Sequence, residues 1–323
     1  MAAKSFPILF VAPNDVSEAV LCSGLLKKLH DEAPNPSFTI VANKKVAPLY
    51  ADMPKVARLM VTDRAPSARR WFGLLGPVRA RRWALVVDIP GQVIAGRLRP
   101  KGKALRRSGD EPAHKLIEAA QLMRLDDEPP APFLFVSEAT QAKARALTAT
   151  GGSGPILALA PATTWVGKAW PPERFAEVAR KLLAPNGPLA GGRLMILGDA
   201  SDSHEIEPVR SVAPRDLTID LVGKVDPLTA FAALRSARLF IGNDSGYTQL
   251  AAAAGAPTLA LFGPSDDRIW RPWGENVRVV RGARTLDEIR KVDSTLSAAI
   301  RHMIDLSADS VLSAAETLLE ETA

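Results

Sequence analysis

Apolar runs at residues 8–12, 38–42 and 84–89 are short, and charged or turn-forming residues bound each of them. That pattern predicts buried β-strands. After the first run, Val20, Leu21, Leu25 and Leu26 recur at helical spacing over 16–29, so the chain opens as strand, loop, helix. The second half alternates more regularly. Apolar runs at 156–160, 193–197, 239–242 and 258–262 are interleaved with helical patterns at 172–183, 227–236 and 247–254. Repeated strand–helix units with continuously apolar strands predict parallel sheets covered on both faces, an α/β fold. A final amphipathic helix over 306–321 carries Val311, Leu312, Ala315, Leu318 and Leu319 on one stripe, with Ser307 as its cap. It is expected to pack back on the N-terminal half.

At 323 residues the chain exceeds the ~250–300 residues at which single cores stop growing, which predicts two domains. Gly, Ser and Thr cluster at 148–155 just ahead of a strand, placing the boundary near 152 and the domains at 1–152 and 153–323. Segments 65–82 and 97–110 lack clean periodicity and read as loops. They are basic: residues 64–107 hold twelve Lys and Arg against one acid, Asp88, while the whole chain carries +6. A local positive field attracts a phosphate-rich partner; a solvated loop is the plain alternative. The single cysteine, Cys22, excludes an intrachain disulfide, and every apolar stretch is interrupted by charge well before the ~20 residues that span a bilayer. The run at 6–11 is shorter than the roughly 7–15-residue core of a secretory signal. A cytoplasmic protein follows as the expectation, with membrane contact no more than peripheral.

Chemistry concentrates in two segments. In 240–266 a strand enters the turn Asn243, Asp244, Ser245, Gly246 and then a small-residue helix. The N–H groups of Ser245, Gly246 and Tyr247 would stand at that helix's N-terminus, which favours a phosphate or diphosphate. Alternatively, Asp244 or Ser245 only caps the helix. In 158–183 another strand leads into a polar loop displaying Thr163, Thr164 and Lys168, at the kind of strand end where open α/β sheets bind ligands. Asp202, in the acidic stretch 198–205, could hold ribose hydroxyls or simply be solvated. His114 and His204 have no paired ligands in sequence, and no His/Cys/Asp cluster suggests a metal. Neither a metal nor a cofactor is expected.

Thr163, Thr164, Lys168, Trp170 and Pro171 match an ATT-x3-K-x-WP pattern, and Asp244, Ser245 and Gly246 a D-[ST]-G motif. On these residues the chain resembles the lipopolysaccharide heptosyltransferases of glycosyltransferase family nine. The likeness extends to 251–263, to the D-x-x-G element within 83–91, and to a helix at 114–125. It implies a GT-B-like architecture of two facing Rossmann-like domains with a cleft. It further implies an inverting, metal-independent transfer of a sugar, a heptose from ADP-heptose, to the inner core of lipopolysaccharide or a related anionic glycolipid. Lys168 with Asp244, Ser245 and Gly246 would hold the donor diphosphate and sugar, Thr163 and Thr164 lying beside them, and the basic N-terminal half would take the acceptor at the inner face of the membrane.

The sequence departs from the family pattern twice. Ser17 and Glu18 stand where the family has a Gly-Asp pair whose Asp takes the acceptor proton, which makes Glu18 the candidate general base and Asp15 the second choice. Gln249 replaces a common His; it keeps a donor and an acceptor but does not titrate near neutral pH, so it is assigned donor contact only. The departures motivate another reading, a nucleotide-sugar-binding homologue without transferase activity or with a different donor. A nicotinamide dehydrogenase is disfavoured because PNDVSE follows the first strand instead of a Gly-x-Gly-x-x-Gly turn. A nucleic-acid partner is disfavoured because no zinc-finger or aromatic-basic motif accompanies the charge.

Overall fold

The computed structural model describes residues 5–62, 76, 78, 80–90, 104–106, 113–125, 127–296 and 300–323. The chain forms two compact units, Met1–Val136 and Ser137–Ala323. The first holds a five-stranded sheet of β1 (Phe6–Val11), β2 (Pro36–Asn43), β3 (Val56–Thr62), β4 (Leu85–Asp88) and β5 (Ala104–Arg106), in the order 3-2-1-4-5. The second holds six strands: β6 (Ile156–Ala160), β7 (Arg193–Ile196), β8 (Thr218–Asp220), β9 (Ala237–Asn243), β10 (Thr258–Phe262) and β11 (Val277–Arg281). Their order is 11-10-9-6-7-8. Every pairing in both sheets is parallel. Counted from its first strand, each unit therefore has the doubly wound order 3-2-1-4-5, extended by a sixth strand in the second. The α/β class is as expected.

The expected helix over 16–29 is two helices, Val16–Leu21 and Ser23–Glu32. The Ser23 hydroxyl donates to Val20 O at 2.6 Å and accepts from Phe133 N at 2.9 Å, and such back-bonding competes with the helical ladder. Gly24 sits against the carbonyls of Pro130 and Ala131 so closely that a Cβ could not fit.

The boundary falls at Val136/Ser137 instead of near 152. Helix Glu138–Thr148 packs on helix Pro227–Leu234 in the second unit. The Gly-rich stretch that follows is a held turn: the Arg193 guanidinium donates to Thr150 O at 2.9 Å, to Gly154 O at 3.0 and 3.1 Å, and to Thr148 O. The last helix, Ala308–Glu321, begins at the expected cap, Ser307, which accepts from Ser310 N at 3.1 Å. Its apolar stripe is covered by helix Pro172–Leu183 and by β9, β10 and β11. It thus belongs to the core of the second unit.

Most of the basic segment 64–107 lies outside the described residues. Within it, Ala104–Arg106 forms β5 beside β4, where a loop was expected, and Trp83 is buried with its indole N–H on Val78 O at 2.8 Å. No helix among the described residues is long and apolar enough to cross a membrane.

Candidate functional site

In the second sheet β6 and β9 are neighbours, and the chain leaves them for opposite halves of the sheet. Such a switch point opens a crevice at the strands' carboxyl ends. The loop after β6 carries Thr163, Thr164 and Lys168; the turn after β9 carries Asp244, Ser245 and Gly246. The two segments singled out in the sequence therefore meet at this point.

Asn243, the last residue of β9, ties them together. It is fully buried, donates to Pro161 O at 2.6 Å, and accepts from Trp170 N at 3.0 Å. Trp170 is buried as well, its ring edge-on to Phe175 at 4.8 Å and its indole N–H on Leu306 O at 2.8 Å. The family-like Trp-Pro pair thus anchors the far end of the loop in the core. Between these anchors, Lys168 closes the short 3-10 turn Val166–Lys168 and reaches Asp244 Oδ2 with its ammonium at 3.1 Å. The carboxylate is nearly buried, whereas the lysine side chain keeps a fifth of its surface open. An ammonium has three N–H donors. Asp244 engages one of them and fixes the direction of the others.

The capping alternative for the turn does not hold. Ser245 occupies the N-cap of helix Gly246–Ala253 with extended backbone angles, yet its side chain makes no capping bond, and Asp244 is turned to Lys168. The first N–H groups of a helix have no partner inside it. Asp244, one residue before this N-cap, holds the Lys168 ammonium, and an ammonium close to a helix N-terminus is an arrangement suited to a diphosphate. Thr163 adds a buried hydroxyl oxygen that has no hydrogen-bond partner among the described residues, while Thr164 is exposed.

Asp202 is not simply solvated. Its carboxylate accepts from Asp199 N at 2.8 Å and from Ser201 Oγ at 3.2 Å, forming half of a capping box on the turn Ala200–Asp202. Tyr247 donates its hydroxyl to Asp199 Oδ1 at 3.2 Å, linking this acidic turn to the helix after β9. Burial, then the neighbouring Asp199 carboxylate, pushes the Tyr247 phenol above its ordinary range, so it stays protonated and keeps donating. Gln249 is 2% exposed and donates to Trp270 O at 2.7 Å. It braces the short helix Asp267–Trp270 instead of lying open at the turn, as a donor contact would.

In the first unit Glu18 lies in helix Val16–Leu21 and lines a small cavity with Cys22, Ile89, Lys115, Glu118, Ala119 and Leu122. Ile89 directly follows β4, which neighbours β1, so Glu18 stands near that sheet's own switch point. Lys115 and Glu118 pair at 2.8 Å and are both about nine-tenths buried. Asp15 is exposed and caps the helix by accepting from Ser17 N at 2.8 Å. That commits Asp15 to the backbone, while Glu18 lines the cavity. Sequence reasoning assigned no role to Lys115 or Glu118, whose signal was charge inside an otherwise apolar pattern, and met Asp88, fully buried at the end of β4, only as the acid of the D-x-x-G element. Among the described residues no group of three or more His, Cys, Asp or Glu is placed to hold a metal.

A model of glycosyltransferase family 9 (heptosyltransferase) matches residues 112–298, more than half of the chain. The chain belongs to glycosyltransferase family 9. It is therefore a glycosyltransferase, of the heptosyltransferase kind. It is 24% identical to lipooligosaccharide heptosyltransferase 2 of Haemophilus influenzae, over 97% of this chain and 99% of that relative. It is 22% identical to lipopolysaccharide heptosyltransferase 2 of Salmonella typhimurium, with the same coverage. Its fold matches the structure of Escherichia coli ADP-heptose LPS heptosyltransferase II with a TM-score of 0.77 at 20% identity, covering 98% of this chain and all of that one. A family 9 glycosyltransferase from Veillonella parvula matches with a TM-score of 0.78 at 20% identity, over 99% of both chains.

Proposed function

We propose that this glycosyltransferase moves a heptose from ADP-heptose to the inner core of lipopolysaccharide, or to a closely related anionic glycolipid, with inversion at the anomeric carbon. The observation that carries the donor half is the Lys168–Asp244 pair beside the N-terminus of helix Gly246–Ala253 at the switch point. As the bond from the anomeric carbon to the diphosphate breaks, negative charge grows on the leaving oxygen. One fixed ammonium and the N–H groups of Gly246 and Tyr247 stabilise that charge without reorganising. Asp244 would repel a phosphate itself, so its role is to aim Lys168 and to accept from a sugar hydroxyl. Thr163 offers a further donor, and the Asp199–Asp202 turn offers carboxylates to ribose hydroxyls.

On the acceptor side Glu18 takes the proton of the attacking hydroxyl while that oxygen attacks the anomeric carbon from the face opposite the diphosphate. The neighbouring Lys115–Glu118 pair gives the carboxylate a charged setting. The basic segment 64–107 draws the anionic acceptor from the cytoplasmic face of the membrane, where the chain makes peripheral contact only. The names of the relatives support this choice of donor and acceptor.

The test is transfer by the purified full-length protein from ADP-heptose to a heptose-deficient core lipopolysaccharide, with the product followed by mass spectrometry and its anomeric configuration by NMR. Donor binding without transfer to this acceptor would instead favour a nucleotide-sugar-binding homologue, the reading that Glu18 in place of Asp and the buried Gln249 keep in view.

A further inference from the structure

Residues 301–306 are laced to the loops that follow four strands of the second sheet. To the loop after β6 and the helix that follows it, His302 N donates to Gly167 O at 3.1 Å, and Leu306 O and Ile304 O accept from Trp170 Nε1 at 2.8 Å and Arg174 Nη1 at 2.7 Å. Beyond β7, Arg301 pairs with Glu205 at 2.8 Å. After β10, Met303 fills the space that a side chain at Gly263 would need. After β11, Arg284 N and Nη2 donate to Asp305 Oδ2 at 3.0 Å and His302 O at 2.6 Å.

His302 is the centre of this strap. Its side chain is 1% exposed, and Nε2 lies 2.9 Å from Asp293 Oδ2, itself nearly buried. An ionised carboxylate only accepts, so Nε2 carries the hydrogen. The side chain is thus anchored on one side while the backbone N–H holds Gly167 on the other. Gly167 immediately precedes Lys168, and Lys168 N closes the turn on Trp165 O at 3.1 Å. A Cβ at Gly167 would overlap the Trp165 ring, so the turn has no slack on that face. Any shift of His302 moves the Gly167 carbonyl and with it the root of the Lys168 side chain. A buried polar pair is costly to desolvate, and an apolar pair of similar volume would pack here without that cost. Its directional bonds specify one position of the strap.

We infer that His302, anchored by Asp293, is a positioning residue for Lys168, holding the ammonium against Asp244 through the Gly167 carbonyl. The inference rests on Lys168 being a donor contact, as proposed above. A displacement of ~1 Å in such a group can cost on the order of 10²-fold in rate; a partial loss of the anchor should cost about 10-fold.

The experiment is a double-mutant cycle on full-length protein: His302→Ala, Lys168→Ala and the pair, with ADP affinity by titration calorimetry and melting temperature alongside. The expected result is an ADP Kd raised about 10-fold by His302→Ala and not raised further when that change is added to Lys168→Ala, since only coupled groups depart from additivity. His302→Gln, which retains an N–H donor, should recover part of the loss. An equal loss in both backgrounds, or wild-type affinity in His302→Ala, overturns the inference. Should His302→Ala not fold, His302→Phe keeps a ring, lacks the Nε2 donor and serves in the same cycle. If Lys168→Ala alone leaves ADP affinity unchanged, the donor-site reading itself fails, and this inference fails with it.

Discussion

The two units share a strand order but treat their switch points differently. In the second, the polar groups at the strand ends are committed to one another: Asn243 to Pro161 and Trp170, Lys168 to Asp244, Tyr247 to Asp199. These bonds fix the groups relative to one another. In the first, the corresponding place is a small cavity where Glu18 meets a nearly buried Lys115–Glu118 pair, and the basic loops expected to bring the acceptor lie outside the described residues. The contrast fits the chemistry. A diphosphate leaving group needs donors fixed in advance at the point of charge development, whereas proton removal needs one carboxylate within reach of a hydroxyl.

The largest effect should come from the acceptor side. Glu18→Gln is expected to lower kcat by about 10²–10⁴-fold while ADP affinity, measured by calorimetry, stays at the wild-type level. A variant with full turnover would move the base elsewhere. Lys168→Ala should reduce kcat/KM by on the order of 10²–10³-fold, a larger effect than the loss of stability that comes from leaving the nearly buried Asp244 carboxylate without its ammonium. If instead it unfolds the protein without a specific kinetic loss, the second unit's site is a structural network only.

Asn243→Ala tests the commitment itself. It strands the Trp170 N–H and the Pro161 carbonyl in the core, so chemical denaturation should show a loss of ~2–4 kcal/mol together with weaker donor binding. Smallest is Thr163→Val. Its hydroxyl has no hydrogen-bond partner among the described residues, so folding stability should change by less than about 1 kcal/mol, while ADP or ADP-heptose affinity falls about 3–10-fold. Unchanged affinity would remove Thr163 from the donor contacts.

Legibility followed position in the sheet. Central strands such as β1, β6, β9 and β10 are continuously apolar and were readable as such. The four strands that escaped, β3, β5, β8 and β11, are the four sheet edges. Edges are short or carry charge, as in Arg58 of β3 and Arg278 of β11, because an uncharged edge invites pairing with another chain. Helix Glu138–Thr148 was hidden by its composition: only Ala144 and Thr148 are buried, and apart from Leu147 the rest is small or polar. The Gly-rich stretch after it read as a linker because the residue that holds it, Arg193, lies far away in sequence.

The meeting of Lys168 with the turn after β9 was legible because motif spacing reports local backbone geometry. Asn243, Trp170 and His302 make their contacts over tens of residues, so those contacts became visible only with the fold. Gln249 shows the opposite case. Its place in the motif suggested the ligand, whereas the fold shows its amide nitrogen buried and bonded to Trp270 O, a contact the motif did not announce.

The most direct test of the central claim, a prebuilt nucleotide-diphosphate site centred on Lys168 in the second unit, is isothermal titration of wild type and Lys168→Ala with ADP, ADP-heptose, UDP-glucose and NAD. The account predicts that wild type binds ADP and ADP-heptose selectively and that Lys168→Ala loses about 10-fold or more of that affinity, the loss of one charge-assisted contact. Binding of NAD alone, binding of no nucleotide, or ADP affinity untouched by the substitution would contradict it.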